Sequence, residues 1–506
     1  MTDAAAPLKR GPLTIAIMLA TIMQVLDTTI ANVALPSMQG SLGAAQDSIT
    51  WVLTSYIVAS AIMTPMTGWL TDRIGLKQLF LISVVGFTLA SMLCGTAGSL
   101  EEMVAWRLTQ GVFGAALVPL SQTVLLNINP EERHGQAMAM WGAGVMVGPV
   151  IGPTLGGWLT ESLNWRWVFY INVPIGIIAF LGILAWLPAA PKRPRGFDFI
   201  GFALLSIGVG ALQLMLDRGE QLDWFASPEI WVELGVSISA FWAFGVHMLT
   251  AQRPFVPPHL LRDRNLVLGL VFIFIVGIVV LAAMALLPPM LQRLMGYPTI
   301  TTGMVMAPRG IGVMVSMLMV GRLMRVVDPR LLILVGLCVT GWSLHMMTGF
   351  TIIMDSTPII VSGVIQGLGI GMVFVPLSAM AFATLAPEDR AEAAGLFSLV
   401  RNMGNSLGVS IVISALAHFT QVNHAELAAH VSPFNPNIDG PLAMAGQAAP
   451  ELLAAADLMV NRQAAMIAYL NDFQMMMVIT LAAIPLLLLL RKPKNAMAPD
   501  AHAAME

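Results

Sequence analysis

The chain repeats itself. Pro119-Leu120-Ser121 returns as Pro376-Leu377-Ser378, and Pro130-Glu131-Glu132-Arg133 returns as Pro387-Glu388-Asp389-Arg390, both at an offset of 257 residues. The copies lie among uncharged apolar runs that reach the ~18–20 residues needed to cross a ~30 Å hydrocarbon core. A soluble fold would need charge to cover such segments, yet only 10% of side chains are charged against 57% hydrophobic. Spans of a β-barrel would alternate apolar and polar residues over ~10 positions, and these runs do not. The expected fold class is an all-α polytopic membrane protein made of two related helical bundles. In such duplicated proteins a site at the repeat interface is reached from either side as one half rocks against the other.

Fourteen spans are predicted, among them the second over about 50–70, the thirteenth over 392–418 and the fourteenth over 473–490. Cytoplasmic loops are enriched in Lys and Arg. Placing both termini in the cytoplasm puts 18 of the 25 Lys and Arg residues inside. One set of six spans occupies only residues 13–188, too short for the observed offset, so 76 residues, 189–264, are inserted between the halves with two further spans. The expected organisation is an N-terminal six-helix bundle over 1–190 and an inserted two-helix hairpin with its linkers over 191–255. A C-terminal six-helix bundle follows over 256–506, with a long periplasmic loop at 419–472 and a cytoplasmic tail.

A net charge of −3 offers no basic stripe for nucleic acid. Cys94 and Cys338 both sit in apolar runs and read as small buried hydrophobes, so neither a disulfide framework nor a metal site is expected. Gly404-Asn405-Ser406-Leu407-Gly408 matches the G-x-S-x-G serine pattern, but that motif acts on a strand-to-helix elbow and here it falls inside a membrane helix. There is no H-E-x-x-H motif and no Gly-rich phosphate loop with Lys. An enzyme is not expected, nor is a cofactor.

Asp27 is the only acid deep within a predicted span, where a charge costs roughly 2.5–3.5 kcal/mol on insertion scales. Burial favours the neutral form of an acid, so such a group can hold a proton in one conformation and release it in another. It could instead brace a broken helix with Thr28, Thr29 and Asn32. Arg107, in the fourth span, lies at a depth that differs from that of Asp27 by about 6 Å at 1.5 Å per residue. An Asp27–Arg107 ion pair is expected, or alternatively an Arg107 that bonds backbone carbonyls. Gly144, Gly148, Gly152 and Gly156 form a bare stripe on the fifth span, interleaved with Pro149, Pro153 and Gly157. Glycines at this spacing let another helix approach closely, and prolines bend the rod. Polar groups within the spans, Gln24, Asn32, Gln122, Arg309, Arg401 and Asn405, are candidates for a substrate cavity. Three intramembrane arginines against one acid favour neutral or weakly acidic cargo over quaternary cations.

These residues resemble the major facilitator superfamily, and within it the fourteen-span drug:proton antiporter branch of the EmrB/QacA type, on its EmrB side. Gly68, Asp72, Arg73, Gly75 and Lys77 match the loop signature between spans two and three, and Gly321-Arg322-Leu323 through Asp328-Pro329-Arg330 resemble its second copy. Arg107, Gln110, Gly111 and Gly114 are similar to the fourth-span motif, Gly144 to Gly157 to the antiporter motif, and Leu26 through Pro36 to the first-span motif of the branch. Leu76, where a basic residue is usual, and Arg325, in place of an acid, depart from the pattern. The resemblance implies a multi-pass protein of the inner membrane that exports lipophilic drugs in exchange for protons. It also implies partnership with a periplasmic adaptor and an outer-membrane channel.

Overall fold

The computed structural model describes residues 9–45, 48–189, 192, 196–430 and 450–490. Among these there is no strand, and thirteen helices are long and apolar enough to cross a membrane. In chain order the spans are α1 (Arg10–Leu42), α2 (Trp51–Met63, continued by Thr64–Met66 and Thr67–Ile74), α3 (Leu76–Thr96), α4 (Leu100–Ile128), α5 (His134–Ser162) and α6 (Trp167–Trp186). The inserted pair is α7 (Phe199–Arg218) and α8 (Pro228–Thr250). The second half comprises α9 (Arg264–Leu294), α10 (Thr299–Leu323), α11 (Pro329–Met347), α12 (Thr357–Phe382), α13 (Arg390–His430) and α14 (Pro450–Ala482, then Ile484–Leu489). The fourteenth crossing is α2. Pro65 lacks the N–H that would continue its helix, and a single 3-10 turn at Thr64–Met66 divides it in two. An even number of crossings puts both ends of the described chain on one face.

The duplication is visible in the packing. The repeated Pro-Leu-Ser falls in α4 and in α12, the fourth span of each half, and the repeated tetrapeptide leads into α5 and α13. Correspondingly α5 packs on α1, and α13 packs on α9. In the second pair Gly404 and Gly408 bring α13 against the backbone carbonyls of Phe274 and Ile278. These glycines of the G-x-S-x-G match serve close helix contact.

The segment expected as a loop over 419–472 is helical at both ends. α13 runs on to His430 and α14 starts at Pro450, while 431–449 and the tail beyond 490 lie outside the described residues. Neither Gly nor Pro occurs in 409–430 or 451–484, stretches rich in Ala, Leu and Met, so nothing local ends either helix. The two extensions pack together, with Asn423 Nδ2 donating to the Ala464 carbonyl at 3.4 Å.

The inserted hairpin packs mostly through α7. α8 leans on α7, where Ser237 Oγ donates to the Gly208 carbonyl at 3.0 Å, and turns Trp231, Ile238, Trp242 and Leu249 outward. Its base is pinned by Asp198. That carboxylate accepts from the Gly201 and Phe255 N–H groups at 2.9 and 2.8 Å and meets His247 Nε2 at 2.9 Å.

Candidate functional site

Asp27 and Arg107 meet. Arg107 Nη1 donates to Asp27 Oδ2 at 2.7 Å, with both side chains fully enclosed. The other carboxylate oxygen, Oδ1, accepts from Gln110 Nε2 at 2.9 Å and from Asn172 Nδ2 at 2.8 Å. Three helices, α1, α4 through two residues and α6, thus converge on one carboxylate, and each of these three partners is a donor to it. Arg107 also braces the bundle as the alternative reading held, with Nε donating to the Val52 carbonyl at 3.0 Å. Its guanidinium lies 4.6 Å from the Tyr56 ring centroid and 5.5 Å from that of Phe169. Sequence reasoning singled out the pair but missed Asn172, whose signal was a lone amide inside the apolar sixth span.

The glycine stripe of α5 faces α1 beside this carboxylate. A Cβ on Gly148 would stand 2.8 Å from Val25 Cγ1 and 3.1 Å from the Leu26 backbone nitrogen, next to Asp27. Gly144 lies against the flexible end of Met18, Gly152 against Thr29, and Gly156 against Ile30. The absent side chains let α5 close onto α1, and Thr29 Oγ1 reaches the Gly148 carbonyl at 3.3 Å. Gly157 meets nothing within 4 Å and, with Pro149 and Pro153, lines a cavity instead.

That cavity holds about 830 Å³ between the two halves. Gln24 and Asn32 line it from the first half, and Arg309, Arg401 and Asn405 from the second. Gln24 is held by Tyr56, its Nε2 donating to the hydroxyl at 2.9 Å. Arg309 Nη2 donates to the Val280 carbonyl at 3.2 Å, while its buried Nη1 has no partner among the described residues. Gln122 stays buried within α4 and is not on the cavity wall. Glu161 and Gln292, near the outer ends of α5 and α9, and Glu220, just past the outer end of α7, mark the mouth. The floor is an aromatic stack across the halves, Trp141 on Phe374 with centroids 5.9 Å apart, fixed by Trp141 Nε1 donating to Ser121 Oγ at 2.7 Å.

Below this floor the cytoplasmic side is shut. A Cβ on Gly68 would stand 2.7 Å from the Glu392 Cα, and one on Gly395 3.0 Å from the Thr64 carbonyl oxygen, so α2 and α13 touch backbone to backbone. Gly75 adopts φ +101°, a region open to glycine, and turns the chain into α3. Lys77 Nζ there caps the Leu184 carbonyl of α6 at 2.8 Å. Asp72 and Arg73 lie in the last turn of α2 on the same face. Arg325, the departure from the second loop copy, donates to Gln136 Oε1 at 2.9 Å and so ties the halves together without an acid. The protein is therefore caught with its cavity open outward.

The family profile described as Major Facilitator Superfamily matches residues 17–409. Multidrug export protein EmrB of Escherichia coli K12 is 39% identical over 432 residues, covering 84% of each chain. The fatty acid resistance protein FarB of Neisseria gonorrhoeae is 37% identical over 445 residues, covering 85% of this chain and 86% of FarB. The crystal structure of human MFSD10, an organic anion transporter, superposes with a TM-score of 0.60 over 94% of this chain and 100% of that one at 15% identity, a likeness of fold alone. The chain is thus a multi-pass transporter of the inner membrane that belongs to the major facilitator superfamily, in its EmrB-type branch.

Proposed function

We propose that the protein is a multidrug exporter that trades protons for lipophilic compounds by alternating access, with Asp27 as the proton-carrying group. The observation that carries this reading is the enclosed Asp27 carboxylate, held by Arg107, Gln110 and Asn172 beside an outward-open cavity. All its neighbours are donors to the charged form. A proton arriving from outside would cancel the attraction to Arg107 and release α1 and α4 from one another, which favours the switch to an inward-open state. Loss of the proton to the cytoplasm would restore the pair. A proton moving down ~100 mV supplies about 2.3 kcal/mol, and each pH unit adds about 1.4 kcal/mol. One proton can thus sustain a tenfold to hundredfold cargo gradient.

Neutral and weakly acidic compounds are the proposed cargo. Two guanidiniums, Arg309 and Arg401, line the cavity at mid-span, and a relative of similar length is named for fatty acid resistance. The periplasmic adaptor and outer-membrane channel belong to the same proposal, the adaptor seated on the packed outer extensions of α13 and α14. Cargo added to purified protein in detergent should release protons into weakly buffered solution. Arg309→Gln or Arg401→Gln should shift resistance away from acidic compounds while neutral ones are still exported. Cargo binding without proton release would overturn the exchange, and an unchanged resistance profile would overturn the cargo assignment.

A further inference from the structure

The two halves meet along two seams related by the duplication, α5 with α10 and α13 with α2. The first closes by direct contact, Gly310 lying on Val150, and a Cβ on Gly303 would stand 3.4 Å from Thr154 Oγ1. The second does so only at its inner end. Below the Pro65 break, α2 packs on α13; above it, Trp51–Met63 packs on α7. There α7 is bonded to both neighbours. Toward α13 three hydrogen bonds run up one face at four-residue spacing: Gln213 Nε2 to Ser406 Oγ at 2.8 Å, Ser410 Oγ to the Leu216 carbonyl at 3.0 Å, and Ser414 Oγ to Glu220 Oε2 at 3.1 Å. Toward α2 the polar grip is confined to the outermost turns, where Thr54 donates to Asp217 and Arg218 stands over the Trp51 ring at 5.4 Å. Lower down, α7 offers α2 the bare Gly210 against Ile62.

We infer that α7 is a wedge in one seam, carried by α13 through the transport cycle, and that Asp217–Thr54 is the outer latch that must part each time the mouth closes. Interhelical hydrogen bonds repeated along one face resist sliding, whereas glycine against an aliphatic side chain permits it. The outer ends of rocking helices travel farthest, and that is where the grip on α2 lies. Asp217 and Gln213 also stand on the cavity wall, so the insertion builds part of the chamber as well as guarding one of its sides. Asp217 is a positioning residue in this scheme.

The test is a pair of disulfides in a Cys94→Ser, Cys338→Ser background, reconstituted in vesicles and assayed for proton-driven transport of laurate. Thr54→Cys with Asp217→Cys should lose about tenfold or more in rate on oxidation and regain it with dithiothreitol, each protein serving as its own reduced control. Gln213→Cys with Ser406→Cys should transport alike oxidised and reduced. Full transport with the α2–α7 bond closed, or arrest by the α7–α13 bond, overturns the inference. Spin labels at Leu53→Cys and Gln221→Cys, compared with Gln221→Cys and Ile413→Cys, read the same motion without cargo. On changing from acidic to alkaline buffer the first distance should shift while the second stays fixed, and the reverse pattern overturns the wedge.

Discussion

Replacing Asp27 with Asn keeps the shape of the side chain and removes its charge. Arg107 would then remain cationic in an enclosed site, with Gln110 Oε1 at 2.8 Å and the Val52 carbonyl at 3.0 Å as its surviving acceptors. Breaking one side of a buried ion pair costs about 3–5 kcal/mol. The Tyr56 and Phe169 faces touch the guanidinium in parent and variant alike, so their cation–π attraction does not offset the loss. The new amide fares poorly as well, since Arg107, Gln110 Nε2 and Asn172 Nδ2 already point donors at it. The net expectation is a loss of about 3–5 kcal/mol, with the protein still inserted and folded. Arg107→Gln should cost a similar amount. The double variant should cost less than the sum of the two by about 1–3 kcal/mol, because the partners share one interaction. Thermal unfolding in detergent measures the cycle, and dye efflux from energised vesicles measures the function, where Asp27→Asn should abolish uphill export. Additive thermal losses would refute the energetic pair. Parent-like export by Asp27→Asn against an imposed proton gradient would refute the proton role.

Two further outcomes follow from packing and from charge. Gly148→Ala should destabilise by about 1–3 kcal/mol through overpacking on Val25 and the Leu26 backbone, whereas Gly157→Ala, with open space around it, should leave the stability within about 0.5 kcal/mol of parent; equal losses would mean that α5 does not press on α1 there. Burial alone would raise the Asp198 carboxyl, but the Gly201 N–H, His247 and the Phe255 N–H outweigh it and hold the group below its ordinary 3.8. A depressed acid stabilises above the unfolded value and stops doing so as pH falls through the folded one. The gap in melting temperature between parent and Asp198→Asn should therefore be full at neutral pH and shrink as pH drops below 3.8, and a gap independent of pH would refute it.

The helices were legible because hydrocarbon leaves a backbone no partner but itself, so apolar length alone names a span. The Asp27–Arg107 meeting was legible because depth along two helices is simple arithmetic, and the α5–α1 contact because a glycine stripe has few other uses. What escaped the sequence was whatever depended on tertiary surroundings at span ends. Asp217 and Asp472 each lie one residue outside a span predicted from the sequence, 198–216 and 473–490, yet the first stands on the cavity wall and the second is fully buried in α14, with neither of its carboxylate oxygens partnered among the described residues. Hydropathy ends a span at its first charge. The helix continues, and the neighbours that enclose that charge come from distant parts of the chain. Trp141 and Phe374 were likewise two aromatic residues among many until the halves brought them together.

The repeat copies the scaffold without the chemistry. At the offset of 257, Asp27 corresponds to Met284 and Arg107 to Val364, both at matching places in their own helices. The carboxylate and all its donors belong to the first half, while the cavity guanidiniums of Arg309 and Arg401 belong to the second. On the proposed reading, one bundle titrates and the other holds cargo, so no single residue has to do both. Coupling then has to cross the space between them. α1 and α5 are packed beside Asp27 without side chains to cushion them, and α5 also meets α10, the helix that bears Arg309. A change in the Asp27 site therefore has a route of close-packed backbone to the cargo wall, and a methyl group at Gly148 should slow the exchange without touching either the acid or the arginines.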